Sequence, residues 1–452
     1  MSSAFAEQVR SDIPRRWWGW GVAASVYLLA VLHRTSLGVA GLRAESRFHI
    51  TPAQLAVFVF VQLGVYAAMQ VPTGLLADRY GPKRLLIVAS TLMGAAQLLF
   101  AAVPSYPAAL AARAVLGCGD ALTFVSVLRF TAAHFPPRRY PVLVALTAMC
   151  GTVGNVAATL PLALALRYVG WGASFASAGV LSLVVAGGVL VLMPGGGRTG
   201  EHEAVPGWAE TRRRIGAAWA VPGTRLGFWV HFTGMSTTTA FAVLWGGPYL
   251  QKAADFSPTG AGSVLMASVL FAALATPLLG ALIGWRPIVR APLAVAIGAL
   301  TVGGCLALVL GMGDAPPQAY VATLFVVMAL GAPISMGAFS VARDYNSATT
   351  LGTASGLVNV GGFSATILIV LGIGWSLDLQ GGTDAHTLRW AVAVAVAVQA
   401  VGTVRTAVWV RRVRAHVLHR MDRGQPIPVP VVRRRWDLAP PAAALDQSGT
   451  LP

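Results

Sequence analysis

Long apolar runs separated by short polar breaks fill the chain from residue 18 to residue 410. A membrane-spanning helix needs about 20 largely apolar residues. Runs of that length predict spans at 18–42, 53–76, 84–103, 108–132, 141–166, 171–193, 225–250, 258–282, 288–311, 317–341, 353–377 and 388–410. Gly81-Pro82, Pro104, Pro107, Pro136-Pro137 and Pro316-Pro317 fall in the gaps, where helices are expected to stop. Two segments break the pattern. Residues 195–224 carry Gly195-Gly196-Gly197, Glu201, Glu203, Glu210 and Arg212-Arg213-Arg214, and read as a linker between two six-helix halves, 18–194 and 225–410. Residues 411–452 are rich in Arg and Pro and read as a disordered basic tail, while 1–17 form a polar N-terminal tail. The expected fold is all-α and integral to the membrane, with twelve transmembrane helices.

Composition agrees. The chain has 452 residues, 56% hydrophobic and 11% charged, whereas a soluble domain carries about 25% charged residues. The net charge of +17 would suit a nucleic-acid binder, but the basic residues lie between apolar runs rather than on one polar domain, which argues against that partner. Their distribution reads instead as topology. With a cytoplasmic N-terminus, 24 of the 33 Lys and Arg fall in inner segments and five in outer loops. That bias places both termini in the cytoplasm of a multi-pass plasma-membrane protein. Cys118, Cys150 and Cys305 sit inside apolar runs without metal-ligand spacing, so no metal site is expected. The first apolar run lacks a small-residue cleavage site and reads as a retained helix.

After the second run the chain reads Gly74-Leu75-Leu76-Ala77-Asp78-Arg79-Tyr80-Gly81-Pro82-Lys83-Arg84. This resembles the loop 2–3 signature of the major facilitator superfamily, G-x-L-x-D-R-x-G followed by a basic pair. Arg113-Ala114-Val115-Leu116-Gly117-Cys118-Gly119-Asp120-Ala121 is similar to that family's R-x-x-x-G-x-G-x-A pattern in helix four. Pro277 to Arg286 and Gly331-Ala332-Pro333 echo these two stretches in the second half, as inverted or parallel repeats do. The resemblance implies two pseudo-symmetric six-helix bundles and transport by alternating access. It also implies a gating role for Gly74, Asp78, Arg79, Gly81, Lys83 and Arg84, with Arg343-Asp344 as a second gate pair. The first helix carries His33-Arg34 followed by small residues, similar to organic-anion/proton symporters, in which an Asp often precedes the Arg. The Gly-Pro signature of proton-driven drug antiporters is missing after Gly154.

An ionisable group at membrane depth costs at least about 2.5–3.5 kcal/mol near the centre, so such residues are functional candidates. Asp120 is the only acid well inside an expected span, and Arg34, His33 and Arg113 also lie within spans, Arg113 roughly 10 Å nearer the outside than Asp120. Arg113 and Asp120 are two helical turns apart and share a face. The family resemblance places Arg34, Arg113 and Asp120 around one cavity, where guanidinium groups bind an anion and Asp120 carries a proton. The alternatives are a structural Arg113–Asp120 pair, and a hydrogen-bonded packing role rather than a proton relay for His33. Trp245, Tyr249, Met336 and Phe339 are candidate cavity walls, with plain packing the alternative. No catalytic constellation is visible, so an enzyme is not expected. The expected activity is proton-coupled symport of a small organic anion by a monomer in the lipid bilayer, with no cofactor beyond the proton gradient. Proton-driven efflux of drugs or metabolites is the rival, and a membrane receptor a more distant one.

Overall fold

A computed structural model describes residues 3–136, 139–194, 208–285, 289–311 and 316–429. The expected linker at 195–207 and tail at 430–452 lie outside the described residues, as does the side chain of Asp78.

Helices account for the fold. The first span is Ser3–Thr35 continued by Leu37–Phe48, bent by 49° at Ser36. Pro52–Tyr80 and Pro82–Ala102 form the second and third. The fourth combines Tyr106–Ala121 with Thr123–His134, and the fifth Tyr140–Ala157 with Leu160–Tyr168. Gly170–Leu192 is the sixth. The seventh runs from Pro222–Ala240 through a π-helical turn, Phe241–Trp245, into Gly246–Lys252. Pro258–Trp285 and Arg290–Leu310 are the eighth and ninth. The tenth joins Gln318–Met328 to Gly331–Tyr345, the eleventh is Ala348–Gln380, and the twelfth joins Ala385–Ala391 to Ala393–Asp422. Among the described residues ten helices are long and apolar enough to cross a membrane, and the bent first pair makes eleven. The seventh is helical over a comparable length but dilutes its apolar run with Thr224, Arg225, His231, Thr233 and Ser236 through Thr239.

Three expected boundaries move. The first span extends past residue 42 to Phe48 because its charged side chains are tied down: Arg43 Nη1 donates to Leu166 O at 2.5 Å and Arg47 Nη2 to Ala101 O at 3.2 Å. Both carbonyls end helices, where a cation is favoured. Within the expected linker, Trp208–Ala220 is a helix with Glu210 bridging Arg213 and Arg214. The expected disordered tail is helical as far as Asp422, since Val413 and Val417 pack inward at helical spacing.

Packing differs between the two ends. Away from the termini, one apolar cluster joins both sets of six spans: Leu37, Phe58, Phe100 and Trp171 with Trp245, Tyr249, Leu308 and Ile373. Towards the termini each set has its own core. Leu86, Val127, Leu143 and Val189 form one, and Leu226, Ile297, Ile334 and Val358 the other. At the sealed end the first and seventh spans cross backbone against backbone. A Cβ on Gly38 would lie 2.0 Å from Ala242 O, and one on Gly247 2.0 Å from Gly38 O. The bend at Ser36 and the π-turn lie beside this crossing, as breaks in helical geometry often do at working sites.

Candidate functional site

The fourth span turns Asp120 toward the first span. Its carboxylate accepts from Arg34 Nε at 2.8 Å and from Arg34 Nη2 at 2.6 Å, the two-pronged geometry a planar guanidinium favours. The Asp120 side chain is fully buried and that of Arg34 is 15% exposed. The guanidinium also lies over the Tyr66 ring, 4.6 Å from its centroid, and Tyr66 meets Phe363 of the eleventh span at 5.1 Å. Tyr27, two helical turns before Arg34, packs on Phe124 at 5.0 Å. The pair therefore lies beside the seam between the two sets of spans, with aromatic faces around it.

Arg113 does not join this pair. Fully buried, its Nη1 reaches His33 O at 3.4 Å and Gln62 Oε1 at 3.3 Å, and its guanidinium stacks 4.0 Å from the Phe100 centroid. Two helical turns bring Arg113 and Asp120 to similar azimuths, but Arg34 takes the carboxylate, so the Arg113–Asp120 pair does not form. His33 also turns away, its Nε2 lying 2.8 Å from Ser182 Oγ and its Nδ1 3.0 Å from Gln97 Nε2.

The other candidates divide. Gly81 adopts φ +79° at the end of the second span, the left-handed turn the loop requires. Lys83 Nζ donates to Met193 O at 2.7 Å, capping the end of the sixth span, while Arg79 lies over Tyr80 and Arg84 is exposed. Gly74 belongs to the second helix. Asp344 pairs with Arg290 at the start of the ninth span rather than with Arg343, which is exposed. Trp245 and Tyr249 are packed in the shared core, donating to Val370 O at 2.9 Å and Leu308 O at 2.8 Å, so neither is an open wall. Met336 is 54% exposed, and Phe339 meets the His231 ring edge-on at 5.0 Å.

Sequence reasoning overlooked Tyr66, Gln62, Gln97 and Ser182, although a Gln inside an apolar run is itself a signal. It also overlooked Asp378, whose carboxylate accepts from Thr51 Oγ1 at 2.7 Å and Ala53 N at 3.1 Å. This acid of the eleventh span thus caps the second span from across the seam, beside Thr51's own capping box with Gln54.

Apolar helices in two sets, with the Arg34–Asp120 pair buried beside their seam, fit a membrane transport protein. The family model for the Major Facilitator Superfamily matches residues 23–370, and the chain belongs to that superfamily. It is 30% identical over 164 residues to the probable sulfoacetate transporter SauU of Cupriavidus necator, a match covering 36% of this chain and 38% of that protein. It is 26% identical over 354 residues to the 3-(3-hydroxy-phenyl)propionate transporter of Escherichia coli, covering 76% and 84% respectively. In shape it resembles a bacterial homologue of the human lysosomal transporter Spinster, solved inward-facing. That likeness has a TM-score of 0.70 and 16% identity, over 88% of this chain and 97% of that one.

Proposed function

We propose that the protein carries a small organic anion into the cell together with protons, by rocking of residues 1–194 against 225–410. In this reading both termini are cytoplasmic and the structure is closed towards the outside. The observation that carries it is the Arg34–Asp120 pair, held at the seam in bidentate geometry. A carboxylate or sulfonate competes with Asp120 for the Arg34 fork. Once displaced, Asp120 is free to accept a proton, and the laden cavity carries less unpaired charge through the barrier. Two relatives named for sulfoacetate and 3-(3-hydroxy-phenyl)propionate support an anionic cargo. The loop at Gly74–Arg84 and the Lys83 cap would then steady the cytoplasmic side as the halves rock.

Purified protein in liposomes under an imposed pH gradient tests this, with uptake of labelled sulfoacetate, 3-phenylpropionate and uncharged analogues compared. Acid-driven uptake of anions, abolished in Asp120→Asn, is expected. Uptake of none of the anions, with extrusion of hydrophobic cations instead, would replace this reading with drug efflux.

A further inference from the structure

His33 precedes Arg34, and one residue step turns a helix by about 100°. The ring therefore enters a different gap from the guanidinium, between the third and sixth spans. Those spans touch through backbone. A Cβ on Gly94 would lie 3.0 Å from Gly179 O, and one on Gly179 would lie 2.9 Å from Gly94 O. Three residues further along each helix stand Gln97 and Ser182, and the imidazole fills the space between them with no exposure to solvent.

The hydrogen bonds match one neutral tautomer. With Ser182 Oγ donating to Ala178 O at 3.1 Å, the hydroxyl accepts from His33 and the ring proton belongs on Nε2. Gln97 Nε2 then donates to Nδ1, which is unprotonated. A second proton would face the Gln97 donor. It would also set an imidazolium beside Arg113, which already reaches His33 O, with no carboxylate touching either group among the described residues. Among the described residues the third and sixth spans present neutral Gln97 and Ser182 to the ring, Arg113 of the fourth reaches the His33 carbonyl and Gln62 of the second, and the neighbouring Arg34 pairs with Asp120.

We infer that His33 is a neutral positioning residue: it ties the rotation of the first span to the third and sixth, so that Arg34 is presented to Asp120, and it leaves Asp120 as the proton-carrying side chain of the site. The second clause rests on the proton coupling proposed above; the first does not.

Two measurements on the full-length protein separate these clauses. In histidine-labelled protein, the ring resonances lost in His33→Gln identify His33. They are expected to show the Nε2–H tautomer unchanged from about pH 5 to about pH 8, where an ordinary histidine titrates. In liposomes, His33→Gln retains a donor and an acceptor and is expected to raise KM modestly, and His33→Leu by about tenfold or more. Neither should move the pH profile or the number of protons carried per substrate. Should His33→Leu not fold, Gln97→Leu and Ser182→Ala each remove one tie and should raise KM in the same way. Imidazolium signals within that range, or a shifted proton stoichiometry in His33→Gln, would overturn the inference. Wild-type uptake indifferent to pH would instead sink proton coupling, while the ring tautomer still decides the positioning role.

Discussion

Asp378 offers a quantitative handle on the sealed end. Its carboxylate holds Thr51 Oγ1 at 2.7 Å and Ala53 N at 3.1 Å, two groups at the start of the second span. Asp378 itself lies in the last turn of Ala348–Gln380, where a negative charge is disfavoured by the helix dipole. That penalty is the same whether the halves are together or apart, so it cancels in their ratio. What does not cancel is the cap, which exists only while the end is sealed. Loss of an N-cap interaction costs about 0.5–2 kcal/mol. Taking about 1.4 kcal/mol, Asp378→Ala should shift the sealed-to-open ratio about tenfold toward open. Asp378→Asn, which keeps one acceptor, should shift it less. Spin labels replacing exposed Tyr168 and Leu379, with Cys118, Cys150 and Cys305 removed, report the distance between the two sets of spans at that end. A population change below about twofold in Asp378→Ala, well under the cap energy, would refute the reasoning.

Other expectations follow from the same geometry. Asp120→Asn keeps one acceptor but leaves a buried guanidinium without its counter-charge, and should destabilise the fold by up to about 3–5 kcal/mol, read as a lower melting temperature. Arg34→Lys keeps the charge but loses the fork, and should weaken anion binding by about 1.5–3 kcal/mol in a direct titration. Gly38→Ala should hold the sealed end open and stop transport, whereas Gly21→Ala, with nothing within 4 Å, should be silent in the same uptake assay. The Arg213 and Arg214 guanidiniums hold the Glu210 carboxyl down at about 2, below its ordinary 4.5. Its contribution to the Trp208–Ala220 helix is thus complete above that ordinary value and lost as pH falls through about 2, which circular dichroism of a 206–221 peptide would follow.

Much of the fold was legible because lipid leaves the backbone few choices. Apolar runs located most spans, and Asp120 and Arg34 stood out as charges where charges are costly. Two kinds of feature escaped. The first is pairing: seven-residue spacing put Arg113 and Asp120 on one face, but the partner was decided by Arg34 of the first span, which spacing along one helix cannot reveal. The second is contact across the seam. Asp378 sits at the end of an apolar run and reads as an ordinary polar boundary, and only the approach of Thr51, over three hundred residues away in sequence, gives it a role. Trp245 and Tyr249 show the converse, since an aromatic pair on a helix reads equally well as a wall or as a core.

The company Arg113 keeps has an electrical consequence. Deep in the first six spans the Arg34–Asp120 pair is internally neutral, whereas among the described residues Arg113 meets a carbonyl, an amide and a ring. The empty carrier therefore holds a surplus positive charge inside the bilayer. Moving one such charge through the full field is worth about 2.3 kcal/mol per 100 mV. A single-charge anion cancels the surplus, and a proton arriving with it restores it. Return of the empty carrier should thus respond to voltage while passage of the anion alone should not, and an anion entering with one proton moves no net charge per cycle, so a potential that is negative inside would drive the cycle only where more than one proton accompanies each anion.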